Sequence, residues 1–466
     1  MWGLWIGCWR GTSALPDKIC AFLDAVAGEI RWTRARPRLT EEIACHLLEQ
    51  QADYLAEGMS PADAEEEAVR QMGDPVSLGA ELDRIHRPRP QWGLLAMALG
   101  LMTAGALMRY LLPNGVFPRE ADLLVIPVGA LCLMLGYVLD ISALGRHPLL
   151  CLAALTAGTA AVFLTYKVQG VSWIAQRLMV LFPAALGVLL WSLRGRRWWG
   201  VLAGVAAFGF VGAITPLIPS ILTLTIITVT GIAMGLLLSR LDWFGIGRRK
   251  TALLTLVLGG AVLGGIAWIM LPYVRIILHP ELDSLGVGFE TIALRNILRD
   301  CRWLGPKVEL SSNALGGALV EMEGGALLVS MVFHWGWLPF LALMAAFFGF
   351  FLWALRRTLH LRQTLGRTVC TGILTALLTQ SFFSLLLTFG FPLFSAPFPL
   401  LVGNWYTVVN MFLIGLMLSA FRDGALPERA APGAKAIPEV WKIKPTASQS
   451  SPPGGGELCE IFCATL

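Results

Sequence analysis

The chain has 466 residues, 56% of them hydrophobic and 14% charged, with a net charge of +5 and a mean hydropathy of +0.66. That balance excludes a single soluble core and points to a multi-span membrane protein. The basic excess is spread over short connections between apolar runs, which speaks for span orientation and against a nucleic-acid partner. Of the nine cysteines, only Cys301 falls in the longest polar stretch. There is no disulfide framework, and no C-x-x-C or H-x-x-x-H spacing indicates a metal.

The first ninety residues differ from the rest. Met1 to Trp9 is apolar but too short to span and lacks a basic n-region, so no signal peptide is expected. Ile19, Phe22, Leu23, Val26 and Ile30 recur at helical spacing, and Thr40 is placed to cap a second helix carrying Ile43, Leu47 and Tyr54 that stops at Gly58. Ser60-Pro61 starts a third helix ended by Gly73, and Asp74-Pro75 starts a fourth. The run Leu55 to Pro75 resembles the prefix domain found ahead of bacterial permeases and other membrane proteins. Residues 1–90 are expected to form a small cytoplasmic helical domain without catalytic residues.

Apolar segments long enough to cross about 30 Å of hydrocarbon follow, near 92–113, 121–140, 147–166, 173–193, 198–215, 217–239, 251–272, 324–355, 367–390 and 401–421. If the N-terminal domain is cytoplasmic, Arg146, Arg194, Arg196, Arg197, Arg240, Arg248, Arg249 and Lys250 all lie inside, as do Arg356, Arg357, Arg362 and Arg367. The facing short loops carry only Arg109, Arg119 and Lys167. This bias puts the 273–323 loop outside and both termini in the cytoplasm. Within the spans, the Gly259-Gly260 and Gly264-Gly265 pairs read as close helix packing. The tail 424–466, rich in Pro, Gly, Ala and Ser, reads as disordered.

Leu271 to Gly336 is the mixed-charge stretch on which chemistry is most reasonably sought. It offers the acids Asp283, Glu290, Asp300, Glu309, Glu321 and Glu323, and the cations Arg275, Arg295, Arg299, Arg302 and Lys307. Ten spans with a large outer loop between the seventh and eighth, together with Arg275, Pro280, Asp283, Leu285-Gly286-x-Gly288-Phe289 and Leu304-Gly305, resemble the SEDS family (shape, elongation, division and sporulation) of membrane proteins. Pro392, Pro397 and Pro399, followed by Gly403-Asn404, match the family's proline-rich lead into its last helix, and Pro219-Ser220-Ile221-Leu222-Thr223 resembles a further element. The resemblance covers roughly 92–423.

It implies an all-α, ten-helix membrane fold and polymerisation of the lipid-linked disaccharide precursor of peptidoglycan, with a single-span transpeptidase as partner. Arg275, Asp283, Gly286, Gly288, Glu290, Pro392, Pro399 and Asn404 become candidate substrate-binding residues. Arg177, inside the fourth span, joins them as a cation for a lipid pyrophosphate, because an arginine at that depth must face the bundle interior or snorkel. No cofactor is firmly implied, and a divalent cation is the one candidate. The family's essential aspartate, counted back from Gly336-Trp337-Leu338, falls on Gly325, so Glu323 and Glu321 become the candidate catalytic acids. His334 reads as a histidine satisfied within the bundle. The alternatives are a catalytically silent relative that binds a partner or lipid precursor, and a lipid or small-solute transporter.

Overall fold

The computed structural model describes residues 16–33, 35–87, 91–111, 119–166, 172–215, 220–299, 301–305, 327–394, 396–401 and 405–423. The chain divides into two compact units, built around residues 1–89 and 90–421.

In the first unit α1 (Asp17–Glu29), α2 (Arg36–Ala56), α3 (Pro61–Met72) and α4 (Pro75–His86) surround a core that includes Ile19, Phe22, Val26, Leu39, Leu47 and Ala68. Ser60 Oγ accepts the Asp63 N–H at 3.3 Å and Asp74 Oδ2 accepts that of Ser77 at 2.9 Å, so both helices start at their Ser-Pro and Asp-Pro pairs. Gly73, at φ +83°, ends α3. The start of α2 departs from expectation. It lies at Arg36, and Thr40 is no cap, because its hydroxyl donates to the Arg36 carbonyl at 2.8 Å within the helix. Pro37 sets the backbone of the first turn, where a missing N–H costs nothing.

The second unit contains α5 (Trp92–Leu111), α6 (Arg119–Val138), the short α7 (Ile141–Arg146) and α8 (Pro148–Thr165). Next, α9 (Trp173–Leu178) runs through a 3₁₀ turn into α10 (Phe182–Ser192), followed by α11 (Arg197–Ile214), α12 (Ile221–Arg240) and α13 (Arg248–Leu278). The remainder is α14 (Val287–Arg299), α15 (Leu327–Trp335), α16 (Trp337–Leu359), α17 (Thr364–Thr388) and α18 (Trp405–Asp423). Among the described residues there is no strand, and seven helical segments are long and apolar enough to cross a bilayer. These are α8, α9 with α10, α11, α12, α13, α16 and α17, while α5, α6 and α18 occupy the other three expected positions. The protein is an all-α polytopic membrane protein.

α17 is its axis. Most of its residues between Leu365 and Thr388 are buried, with Gly187 of α10 against Val369 and Gly372 beneath Met234 of α12. Small residues also bring α6 and α18 into backbone contact, where a side chain on Gly136 would overlap the Phe412 carbonyl and one on Gly415 the Leu133 carbonyl. The glycine pairs of α13 are a partial correction to the sequence reading. Gly259 packs on Ile232, but Gly260, Gly264 and Gly265 face open space, because the far half of α13, with Trp268 77% exposed, stands clear of α12.

Two expected spans are redrawn. α13 continues to Leu278, and its 31 residues at about 1.5 Å each reach about 46 Å, so Arg275 sits in a helix turn rather than a loop. The stretch 324–355 is not one helix, since α15 and α16 are separated at Gly336, whose φ of +94° and ψ of 179° belong to a region only glycine enters readily.

Candidate functional site

The end of the bundle where α13 and α17 finish and α16 and α18 begin holds the described candidates. After α13 the chain makes a 3₁₀ turn, Pro280–Asp283, and enters α14. Asp283 Oδ1 accepts the Gly286 N–H at 3.1 Å, and a side chain at Gly286 would overlap that carboxylate. Gly288 is buried against the carbonyls of Pro280 and Asp283, where a Cβ has no room. Pro280, Asp283, Gly286 and Gly288 thus shape the turn that launches α14. Glu290 stands in its first turn, where the helix dipole favours a carboxylate, within electrostatic reach of Tyr273. Arg275 is solvent-exposed in the last turn of α13.

α14 lies on the bundle end through Leu294 and Ile297, which meet Val329 and Phe333 of α15 and Leu387 of α17. Its position is fixed by Arg295, whose Nη2 donates to the Ile277 carbonyl at 2.8 Å and whose Nε donates to the Gly390 carbonyl at 3.3 Å. The same guanidinium lies 5.1 Å from the centre of the Phe391 ring. One side chain therefore ties α14 to the ends of α13 and α17. The outward side is greasy, with Leu282, Leu285, Phe289, Trp303 and Leu304 exposed, next to the exposed Arg275, Arg299 and Arg302. Such a mixture suits the headgroup level of a bilayer.

The break at Gly336 is held by the same region. The N–H groups of Trp337 and Leu338, which open α16, donate to the Arg302 and Trp303 carbonyls, each at 3.1 Å, and Gly305 N–H donates to the Trp335 carbonyl at 3.1 Å. A Cβ on Gly336 would lie 2.6 Å from the Trp303 oxygen. His334 Nδ1 pairs with the Ser330 carbonyl at 2.9 Å and its ring meets Phe333 edge-on.

Between α17 and α18 the described residues are not helical, and Pro392, Ala396, Pro397, Phe398, Pro399, Leu400 and Leu401 are buried. Irregular backbone at that depth is tolerated because protein rather than lipid surrounds it. Pro399 supplies a carbonyl to Asn410 Nδ2 of α18 at 2.9 Å, and the same nitrogen donates to Gln380 Oε1 of α17 at 3.3 Å. Arg177 of α9 is half-buried with its guanidinium 5.0 Å over the Tyr406 ring, at the start of α18. Its Nε is buried without a hydrogen-bond partner, so this cation is held in place by stacking and keeps a free donor.

Sequence reasoning missed a polar cluster here. Along α17 the hydroxyls of Thr368, Thr371, Thr375, Thr379, Ser381 and Thr388 bond back to carbonyls of their own helix at 2.7–2.8 Å. Ser384 Oγ does not, and with Gln380 Nε2, Thr407 Oγ1 and Asn410 Oδ1 it is buried without a partner. Buried polar atoms normally find partners, so these four set this interior apart. The available signal was Gln380 and Asn410 interrupting the apolar runs of two expected spans.

Glu321, Glu323, Gly325 and Asn404 lie outside the described residues, as do Asp300, Lys307, Glu309 and the tail 424–466. Among the described residues no three His, Cys, Asp or Glu side chains gather as a metal-binding group.

No family model and no curated protein matches the chain by sequence. Solved structures match its fold. A chain from a peptidoglycan synthase complex, described as coordinating polymerization and crosslinking, aligns with a TM-score of 0.56 at 16% identity over 72% of this chain and 98% of that one. The rod shape determining protein RodA of Thermus thermophilus aligns with a TM-score of 0.51 at 15% identity, over 72% of this chain and 97% of RodA. A point variant of the same RodA gives a TM-score of 0.51 at 14% identity, over 72% and 98%. The multi-helix membrane fold expected from the motifs is thus the fold of this chain, and RodA shares it.

Proposed function

We propose that the protein is a SEDS-type peptidoglycan glycosyltransferase of the bacterial cytoplasmic membrane. It would polymerise the lipid-linked disaccharide precursor at the outer face, with both termini in the cytoplasm and a single-span transpeptidase as partner. What supports this reading is that Arg177, Arg275, Asp283, Glu290 and the buried Pro392, Pro397 and Pro399 all belong to one end of a RodA-like bundle. A lipid-tethered sugar pyrophosphate must be met at a membrane face, because its tail holds it there. The greasy and cationic outer side of α14 is a surface of that kind.

In such a transfer a carboxylate takes the proton of the attacking sugar hydroxyl. The oxygen bonds to the anomeric carbon of the donor, the carbon–oxygen bond to the pyrophosphate breaks, and cations stabilise the departing charge. Glu323, with Glu321 as the alternate, would take the proton. Arg275 and the stacked Arg177 would hold the pyrophosphate, and Asp283, Gly286 and Gly288 would keep α14 and Glu290 in place beside it. The test is polymerisation of lipid-linked precursor by the full-length protein, read as glycan strands on a gel. Wild type should give strands and Glu323→Gln none; absence of strands from folded wild type with every transpeptidase tried would overturn the assignment.

A second reading rests on one observation, that glycine stands at position 325 where the family has its essential aspartate. A catalytically silent relative that docks a partner or holds lipid precursor would tolerate Glu321→Ala and Glu323→Ala with partner binding and cell-wall phenotype unchanged.

A further inference from the structure

The opposite end of the bundle is built from two turns fused by their backbones. The α10–α11 turn and the α12–α13 turn are joined where Gly195 N–H donates to the Trp243 carbonyl and Arg197 N–H to the Phe244 carbonyl, both at 3.0 Å. Trp243 and Phe244 are buried beneath, and Trp243 Nε1 donates to the Trp191 carbonyl at 3.2 Å. Arg194 lies 4.8 Å over the Trp243 ring. Arg197 and Asp242 hold left-handed backbone at φ 50° and 47°, a conformation that persists only where the surroundings over-determine it. The two turns form one rigid plate.

Its charge is one-sided. Arg194, Arg196 and Arg197 rise from the first turn, and Arg240, Arg248, Arg249 and Lys250 from the second, all exposed. The single acid between residues 193 and 250 is Asp242, and its carboxylate already accepts the Gly247 N–H at 2.9 Å. Arg197 and the run Arg248 to Lys250 open α11 and α13, the helix ends where the macrodipole disfavours cations. An orientation signal needs only a count of positive charges. It does not need them locked on fused turns and set against the helix dipoles.

We propose that this plate binds the phosphate headgroup of an anionic phospholipid, a site independent of the polymerase reading. The lipid is favoured as the source of the phosphate because Trp198 and Trp199, 54% and 76% exposed, stand beside the plate at the ends of membrane-spanning helices, where indole rings sit among headgroups. The test uses full-length protein in a zwitterionic detergent, titrated with short-chain phosphatidylglycerol, phosphatidylcholine or inorganic phosphate, with the shift in thermal unfolding midpoint giving Kd. Phosphatidylglycerol should raise the midpoint and phosphatidylcholine should not. The triple variant Arg196→Gln, Arg248→Gln, Arg249→Gln should weaken binding about 100-fold, at roughly 1 kcal/mol for each cation near a charged lipid surface, and Arg249→Gln alone about 5-fold. Arg356→Gln, Arg357→Gln, Arg362→Gln removes three exposed cations from the last turn of α16 and the α16–α17 connection and should leave Kd within 2-fold. Equal losses in both triples would mean diffuse attraction and overturn the site, as would equal response to both lipids; a midpoint shift by inorganic phosphate matching that of the lipid would overturn the lipid as its occupant.

Discussion

At one end of the membrane unit, the α10–α11 and α12–α13 turns bond each other through their backbones and are flanked by exposed cations. At the other, α13 runs on for 31 residues, the short α14 packs on α15 and α17, and the buried Pro397 and Pro399 lie near amides and hydroxyls without partners. The first end pairs backbone groups between its two turns and leaves charge for whatever lies outside. The second leaves amides and hydroxyls without partners inside. Irregularity concentrated at one face is what a site for a membrane-bound reactant requires, whereas a transport pathway would carry it to mid-depth.

The contrast can be broken most sharply at Gly336. Gly336→Ala forces a strained backbone and pushes a methyl group onto the Trp303 and Arg302 carbonyls that hold the start of α16. It should cost about 4 kcal/mol, seen as a large fall in the unfolding midpoint in detergent. Gly305→Ala is the internal control, with positive φ but open space around its Cβ, and should cost only about 1 kcal/mol. Next comes Arg295→Ala, which removes two bonds to carbonyls and a stacked ring. About 3 kcal/mol of local stability should be lost, so amide exchange in α14 should rise roughly 100-fold while α12 is unchanged.

Asn410→Ala strands the Pro399 carbonyl and Gln380 and should destabilise by about 2 kcal/mol. Replacing both amides, Gln380→Leu with Asn410→Leu, should recover only part of that, since Gln380 is then no longer left unpaired while the Pro399 carbonyl still is. If the double variant is as unstable as the single one, the cluster is not an isolated polar island. The smallest effect belongs to the opposite end, where Arg194→Gln forfeits only a surface cation over Trp243 and should cost about 0.5–1 kcal/mol in chemical denaturation. A loss equal to that of Arg295→Ala would erase the distinction between the two ends.

Much of the architecture could be read from residue order because membrane spans are set by local composition. Helices stand at all ten expected positions, and the Ser60-Pro61 and Asp74-Pro75 caps fall where side-chain chemistry demands. What escaped depends on distant partners. Nothing near Gly336 reveals that carbonyls from Arg302 and Trp303 lie against it, so 324–355 read as one helix. Thr40 was mistaken for a cap because its hydroxyl can serve a helix interior equally well. At the candidate site the motif Pro280, Asp283, Gly286, Gly288 was visible as a motif, yet its job in shaping a turn emerges only once the carbonyls around Gly288 are placed. Gln380, Ser384, Thr407 and Asn410 went unnoticed since each is unremarkable alone, and their significance lies in being brought together without partners.

Arg295 also sets a timetable. Its acceptor at Gly390 lies 95 residues downstream, so at 5–20 residues per second a ribosome needs roughly 5–20 s after making Arg295 before that bond can form. Throughout that interval the Arg295 side chain has only the Ile277 carbonyl to bond. This end of the bundle is therefore completed late, by a clasp that closes when α17 has been delivered, and nascent chains arrested before Gly390 should leave α14 more open to protease while the fused turns at the other end are already protected.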